Sequence, residues 1–207
     1  GVRPLIPELV MRQSLISSSR RGLLAAAAGM LLAAAGPVNA QAVDPSLLHY
    51  HDGGRRMALS VEPALVADFG PSRMTALSAS GTAAPQRVAG DSTVRILRMP
   101  AGHDASAAAT GSQRSPVFRQ GATPAGRLMA LPGGVLVKFK PQWSRARQNE
   151  WLAAQGLPAG QPMALGADWV RVDTAAGWTA LQVANRLQAT GEVLSSSPNW
   201  WTETVSR

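Results

Sequence analysis

All six tryptophans of this 207-residue chain lie at or beyond Trp143. Aromatic side chains bury the most area per residue, so their placement shows where a core has material to form. No cysteine staples any other part of the chain. Its absence excludes a disulfide framework, a thiolate zinc site, an iron–sulfur cluster and a thiol nucleophile. Periodicity in the tryptophan-bearing stretch is regular. After Gly133-Gly134, residues Val135, Val137 and Phe139 alternate with Leu136, Lys138 and Lys140, the pattern of a half-buried strand that Pro141 ends. Ser144 is a cap for a helix running to about Gln155, with Gly156 as its stop. Gln161 to Leu165 and Trp169 to Asp173 are strand candidates. Thr179 is a cap for a second helix to Thr190, with Ala180, Val183, Ala184 and Leu187 on one face and Gly191 as the stop. Glu192 to Ser196 reads as a last strand, ended by Pro198-Asn199.

The order βαββαβ predicts an α+β, ferredoxin-like unit over about residues 130–202. Upstream, the pattern is intermittent. Arg55 to Val61, Leu65 to Phe69 and Val94 to Met99 read as short strands of a small β-rich module, with Asp52-Gly53-Gly54 as a turn before the first. Ser78–Gly90 and Ala101–Ser115 are rich in Ala, Ser and Gly and read as loops or linker. The expected organisation is upstream translation over residues 1–10, an export signal over 11–40, a β-rich extension over 41–100, a linker and connecting strand over 101–129, and the α+β unit with its tail over 130–207. The absence of Met at position 1 is the expectation of a fragment.

The export signal rests on composition. Met11 opens a segment ending in Arg20-Arg21, fifteen residues from Gly22 to Gly36 carry no charge, and Pro37 to Ala40 supplies small residues for cleavage between Ala40 and Gln41. Fifteen residues make about 22 Å of helix against a bilayer core of about 30 Å, so no stable membrane span is expected. Ser19 to Leu24 (SRRGLL) resembles a twin-arginine export motif, with plain Sec export as the other route. The expected location is secreted or periplasmic in a bacterium. Eighteen of the 20 basic residues are Arg; without residues 1–40, 16 bases face 11 acids, a net +5. That charge is scattered, without a basic patch interleaved with aromatics, so no nucleic-acid partner is expected.

Three strings carry candidate chemistry. Gly90-Asp91-Ser92-Thr93 is similar to the nucleophile block of GDSL-type esterases, but the one histidine after it is His103, so it reads as a turn before a strand. Ser80 to Pro85 (SGTAAP) resembles a subtilisin-type Ser block that lacks the Ser-Met pair, and with it the nucleophile. His49-Tyr50-His51-Asp52 offers two imidazoles without a third ligand nearby, so no metal is expected there. No cofactor is expected.

Val135 to Pro141 (VLVKFKP), Gly191-Glu192-Val193 and Ser197 to Trp200 (SPNW) together resemble the N-terminal prodomain of subtilisin-like serine peptidases, of the fervidolysin-like type. The resemblance covers about residues 130–202. Ser115 to Arg119 and the module at 50–99 look like the upstream extension of some bacterial members. In the family, Asp-x-Gly, His-Gly-Thr and Ser blocks follow the prodomain; none of these strings occurs between about residue 130 and Arg207, so this stretch is expected to carry no triad and not to be an enzyme. The resemblance implies an intramolecular chaperone and temporary inhibitor. Its partner is the catalytic domain of a subtilisin-like protease, in cis or in trans. Its sheet packs on that domain, and Pro198, Asn199, Trp200, Trp201 and Thr202 enter the substrate cleft as an added strand. A stand-alone secreted inhibitor acting in trans and a secreted ferredoxin-like binding module are the other readings.

Overall fold

The computed structural model describes Ser46 and residues 48–71, 86–105, 109, 111, 113–121 and 123–204. The chain divides into Gly1–Val38 and Asn39–Arg207, and every described residue belongs to the second unit. The expected export signal, its Ala40–Gln41 cleavage point and the Ser80–Pro85 string lie outside the described residues.

Among the described residues, eleven strands form two antiparallel sheets. The larger contains β1 (His49–Asp52), β2 (Arg55–Asp68), β3 (Gln86–Ala89), β4 (Arg95–Arg98), β5 (Arg114–Gln120), β6 (Leu128–Ala130) and β11 (Trp201–Thr202). Its order is β11-β6-β5-β2-β4-β3, with β1 paired to β2. The smaller contains β7 (Val135–Lys138), β8 (Gln161–Met163), β9 (Gly166–Val172) and β10 (Ser195–Pro198), in the order β10-β7-β9-β8. The described residues also form two helices, α1 (Arg145–Ala154) and α2 (Trp178–Ala189), in the second half of the chain.

The ferredoxin-like α+β class expected from the element order is therefore corrected. The described residues are mostly β, and seven of the strands make a curled, half-barrel antiparallel sheet. Period-2 alternation identifies a strand but not its sheet, and several decisive strands are only two to four residues long. At β11, where the resemblance implies a strand added to a protease cleft, Trp201 and Thr202 pair with β6 of this chain instead. Strand β2 shows how the large sheet curls. Its 14 residues pair with β5 at Val61↔Phe118 and again at Val66↔Pro116, so the register slips between them. Pro63 sits in the slip, where a missing N–H costs no ladder bond. The two short runs expected around it are one bent strand. The β1–β2 hairpin turns on Gly53 (φ 54°) and Gly54 (φ 81°), the pair of positive angles that a tight antiparallel turn requires.

One face of the large sheet gathers Leu65, Ala67, Val94, Ile96, Val117, Leu128 and Ala130. The other face is covered in two places. Val66, Leu97 and Met99 pack with Ala105 and Ala109 from the following loop. Tyr50, Leu59, Phe118 and Met129 pack with Leu131 and with Ala180 and Leu181 of α2. The small sheet buries Val135, Val137, Val170 and Val172 against Leu152 of α1 and Ala184 and Leu187 of α2. Helix α2 thus contributes to the cores of both sheets.

Ser144 caps α1, its hydroxyl accepting the Arg147 N–H at 3.3 Å. The start of α2 departs from expectation. Gly177, not Thr179, occupies its N-cap, and it has φ 70°. A Cβ at Gly177 would lie 3.0 Å from the Arg114 carbonyl, so the close approach of β5 selects glycine over a side-chain cap. The last strand of the small sheet is Ser195–Pro198 rather than Glu192–Ser196.

Candidate functional site

The segment Pro198 to Thr202 carries the sequence-based expectation of a partner contact. Its geometry begins at Gly133-Gly134, where the chain leaves β6 for β7. Gly133 has φ 102°, and a Cβ there would come within 2.5 Å of the Thr174 carbonyl. The corner therefore turns as tightly as only glycine permits, and its carbonyls face the returning chain. Asn199 takes both: its backbone N–H donates to Gly134 O at 3.0 Å and its side-chain amide to Gly133 O at 3.1 Å. On one side of this clamp Pro198 stands opposite Val135 in the small sheet. On the other, Trp201 stands opposite Ala130 and Thr202 opposite Met129 in the large one. The Glu203 N–H donates to Leu128 O at 3.0 Å and completes the pairing. The β7–β10 and β6–β11 pairs are thus one ribbon, broken at Asn199.

Trp200, just before β11, and Trp201, its first residue, pack against different cores of the chain. Trp200 meets Tyr50 and Phe118 edge-on, with ring centroids 5.1 and 5.8 Å away. Its indole N–H is buried without a partner. Trp201 packs on the face that holds Leu128 and Ala130, and its N–H donates to Asp91 Oδ2 at 3.3 Å. Asp91 follows β3, at the far end of the strand order from β11. Trp201 therefore ties the two edges of the curled sheet. The Asp91 carboxyl is held down to about 2, chiefly by the Thr93 hydroxyl (2.6 Å) and the Thr93 N–H (2.7 Å), with the Trp201 indole adding to them. Gly90 to Thr93 is accordingly an Asx-type turn into β4, its carboxylate occupied by the turn itself. All five residues Pro198 to Thr202 are close together, and both indoles are half-buried in this chain's own cores.

Two further surfaces flank the ribbon. On the small sheet, Leu136 stands opposite Arg171 and Lys138 opposite Trp169, on the face away from the helices. Lys138 Nζ lies 5.5 Å from the Trp169 ring centre. Among the described residues no helix covers this face; Leu136, Lys138 and Trp169 on it are half-exposed and Arg171 is exposed. The other surface is a shallow cleft of about 390 Å³ lined by Lys140, Gln142, Trp143, Arg147 and Glu192. Trp143 stacks on Phe139 at 28° and carries the Arg147 guanidinium 4.7 Å from its ring centre, while the Trp151 N–H donates to Glu192 at 2.6 Å. Sequence reasoning missed this cleft. Its one linear signal is the i, i+4 spacing of Trp143 and Arg147 across the start of α1.

His49 and His51 stand edge to face at 5.4 Å. Arg56 Nη2 lies 3.3 Å from His49 Nδ1, and burial together with that cation lowers the His49 pKa. A guanidinium beside the imidazole opposes a metal cation. Among the described residues no group of three His, Cys, Asp or Glu is placed to hold a metal ion. Among the same residues no helix is long and apolar enough to cross a membrane. No protein-family model, curated protein or solved structure matches the chain.

Proposed function

We propose that this chain is the prepro-region of a secreted, subtilisin-like serine protease. Residues 11–40 direct export, and residues 130–207 act as intramolecular chaperone and temporary active-site inhibitor. The observation that carries the reading is the small sheet, which buries one face under two helices and leaves Leu136, Lys138 and Trp169 half-exposed and Arg171 exposed on the other. Such a face gains stability from a partner, because binding only the folded state shifts folding by mass action. The VLVKFKP, Gly-Glu-Val and SPNW strings lie on β7, in the turn after α2, and on β10 with its exit. They are the strings that resemble a subtilase prodomain. In this reading Pro198 to Thr202 meet the substrate cleft by strand addition, with the indoles filling apolar pockets.

The test is a peptidase assay with a subtilisin-type enzyme, together with refolding of its denatured catalytic domain in the presence of this chain. Inhibition at micromolar concentration and a raised yield of active enzyme are expected. A folded chain that does neither overturns the reading.

A further inference from the structure

Resting on that function, we propose that β11 is an intrachain latch: docked on β6 it withholds Trp200 and Trp201 from a protease cleft, and inhibition requires its release. The side chains that would fill the protease's pockets already fill this chain's own. Trp200 lies against Tyr50 and Phe118, and Trp201 against the Leu128 and Ala130 face. The two occupancies exclude each other.

The docked state is weakly held at its outer end. Among the described residues only Trp201 and Thr202 are in register with β6, and the Glu203 N–H adds one bond at 3.0 Å. Burial leaves the Trp200 N–H without an acceptor, which carries a desolvation cost. The Trp201 N–H reaches an exposed carboxylate at a long 3.3 Å. A cleft that pairs the backbone and offers acceptors to both indoles would satisfy groups that β6 leaves wanting. The inner end is held differently. Asn199 is anchored by two bonds to the Gly133-Gly134 corner, and β10 is paired with β7 over four residues. Release therefore needs a backbone change only after Asn199, and the small sheet keeps its register. The partner this geometry fits is an extended cleft edge with two apolar pockets, on opposite sides of the bound strand.

A disulfide across the latch tests it. Thr202 and Met129 are directly opposed. Opposed Cα atoms in an antiparallel pair lie about 4.5–5.5 Å apart, within disulfide reach. The chain has no cysteine of its own, so the Met129→Cys/Thr202→Cys pair is chemically clean. The oxidised chain is expected to inhibit a subtilisin-type peptidase at least about tenfold more weakly than the same chain reduced. Asp91→Ala loosens the latch without touching the tail and is expected to strengthen inhibition. Equal inhibition by oxidised and reduced forms overturns the latch and leaves the inhibitor function standing. If the cysteine pair inhibits in neither form while the unsubstituted chain does, Asp91→Ala decides: unchanged or weaker inhibition overturns the latch. An unsubstituted chain that does not inhibit overturns the function, and the latch with it.

Discussion

Phe139 and Lys138 are neighbours in sequence that face opposite sides of one strand register. Phe139 is fully buried, stacked on Trp143 and edge-on to Trp151. Phe139→Ala is expected to cost about 3–5 kcal/mol in urea denaturation, through lost transfer energy and the cavity left behind. Lys138 pairs with Asp168 at 3.9 Å on a half-exposed face, so Lys138→Ala is expected to cost under about 1 kcal/mol. That difference was legible in the sequence, because alternation alone places the two on opposite faces. Asp91 was not. Its carboxyl titrates near 3.8 when free and at about 2 in the fold. The unfolded chain therefore takes up the proton first. The stabilising contribution is complete above the free value and disappears as pH falls toward 2. Trp201 fluorescence should shift across that acid window, and in Asp91→Asn the shift should be absent. Only the fold brings Asp91 and Trp201, 110 residues apart, into contact.

At the scale of elements, β11 is the part whose role the structure changes most. As a free tail, residues beyond Ser197 would be removable without harm to the fold. As β11, they supply Trp200 to one core and Trp201 to another. Truncation after Ser197 is therefore expected to destabilise the chain by about 2 kcal/mol or more, on the scale of removing large side chains from partly buried sites. A urea midpoint equal to that of the longer chain would contradict this assignment. Strand β2 teaches the same lesson. Met57, Leu59 and Val61 alternate correctly, and so does the run from Leu65, but the sequence does not say that a slip at Pro63 joins them. A register slip is decided by what β5 offers opposite, and β5 is about 50 residues away.

For the molecule as a whole, α2 couples the sheets. Ala180 and Leu181 join Tyr50, Leu59 and Phe118, while Ala184 and Leu187 join Val135, Val137 and Val170. Asn185 adds a hydrogen bond to His49 O at 2.9 Å. Residues 49–204 are expected to unfold in one transition, and Leu181→Ala, at a fully buried site, to lower it by about 2–5 kcal/mol with no separate phase for either sheet. Tryptophan fluorescence and far-UV circular dichroism that fail to coincide would argue for two independent units. Local chemistry determined much of the second half of the chain from the sequence alone: the Ser144 cap, the stop at Gly156, the alternation of β7 and β9 and the helical face of α2. These depend on neighbours within four residues, or on a period that any core enforces. The tertiary structure alone decided that most of the described strands form a second, larger sheet, that α2 serves both cores and that Trp200 and Trp201 are interior to their own chain. Those outcomes turn on pairings between segments about 50 to 150 residues apart, as in β5 with β2 and Trp200 with Tyr50. Hydrogen-bond pairing is generic to every strand, so complementary packing at a distance selects the partner, and no local pattern records it.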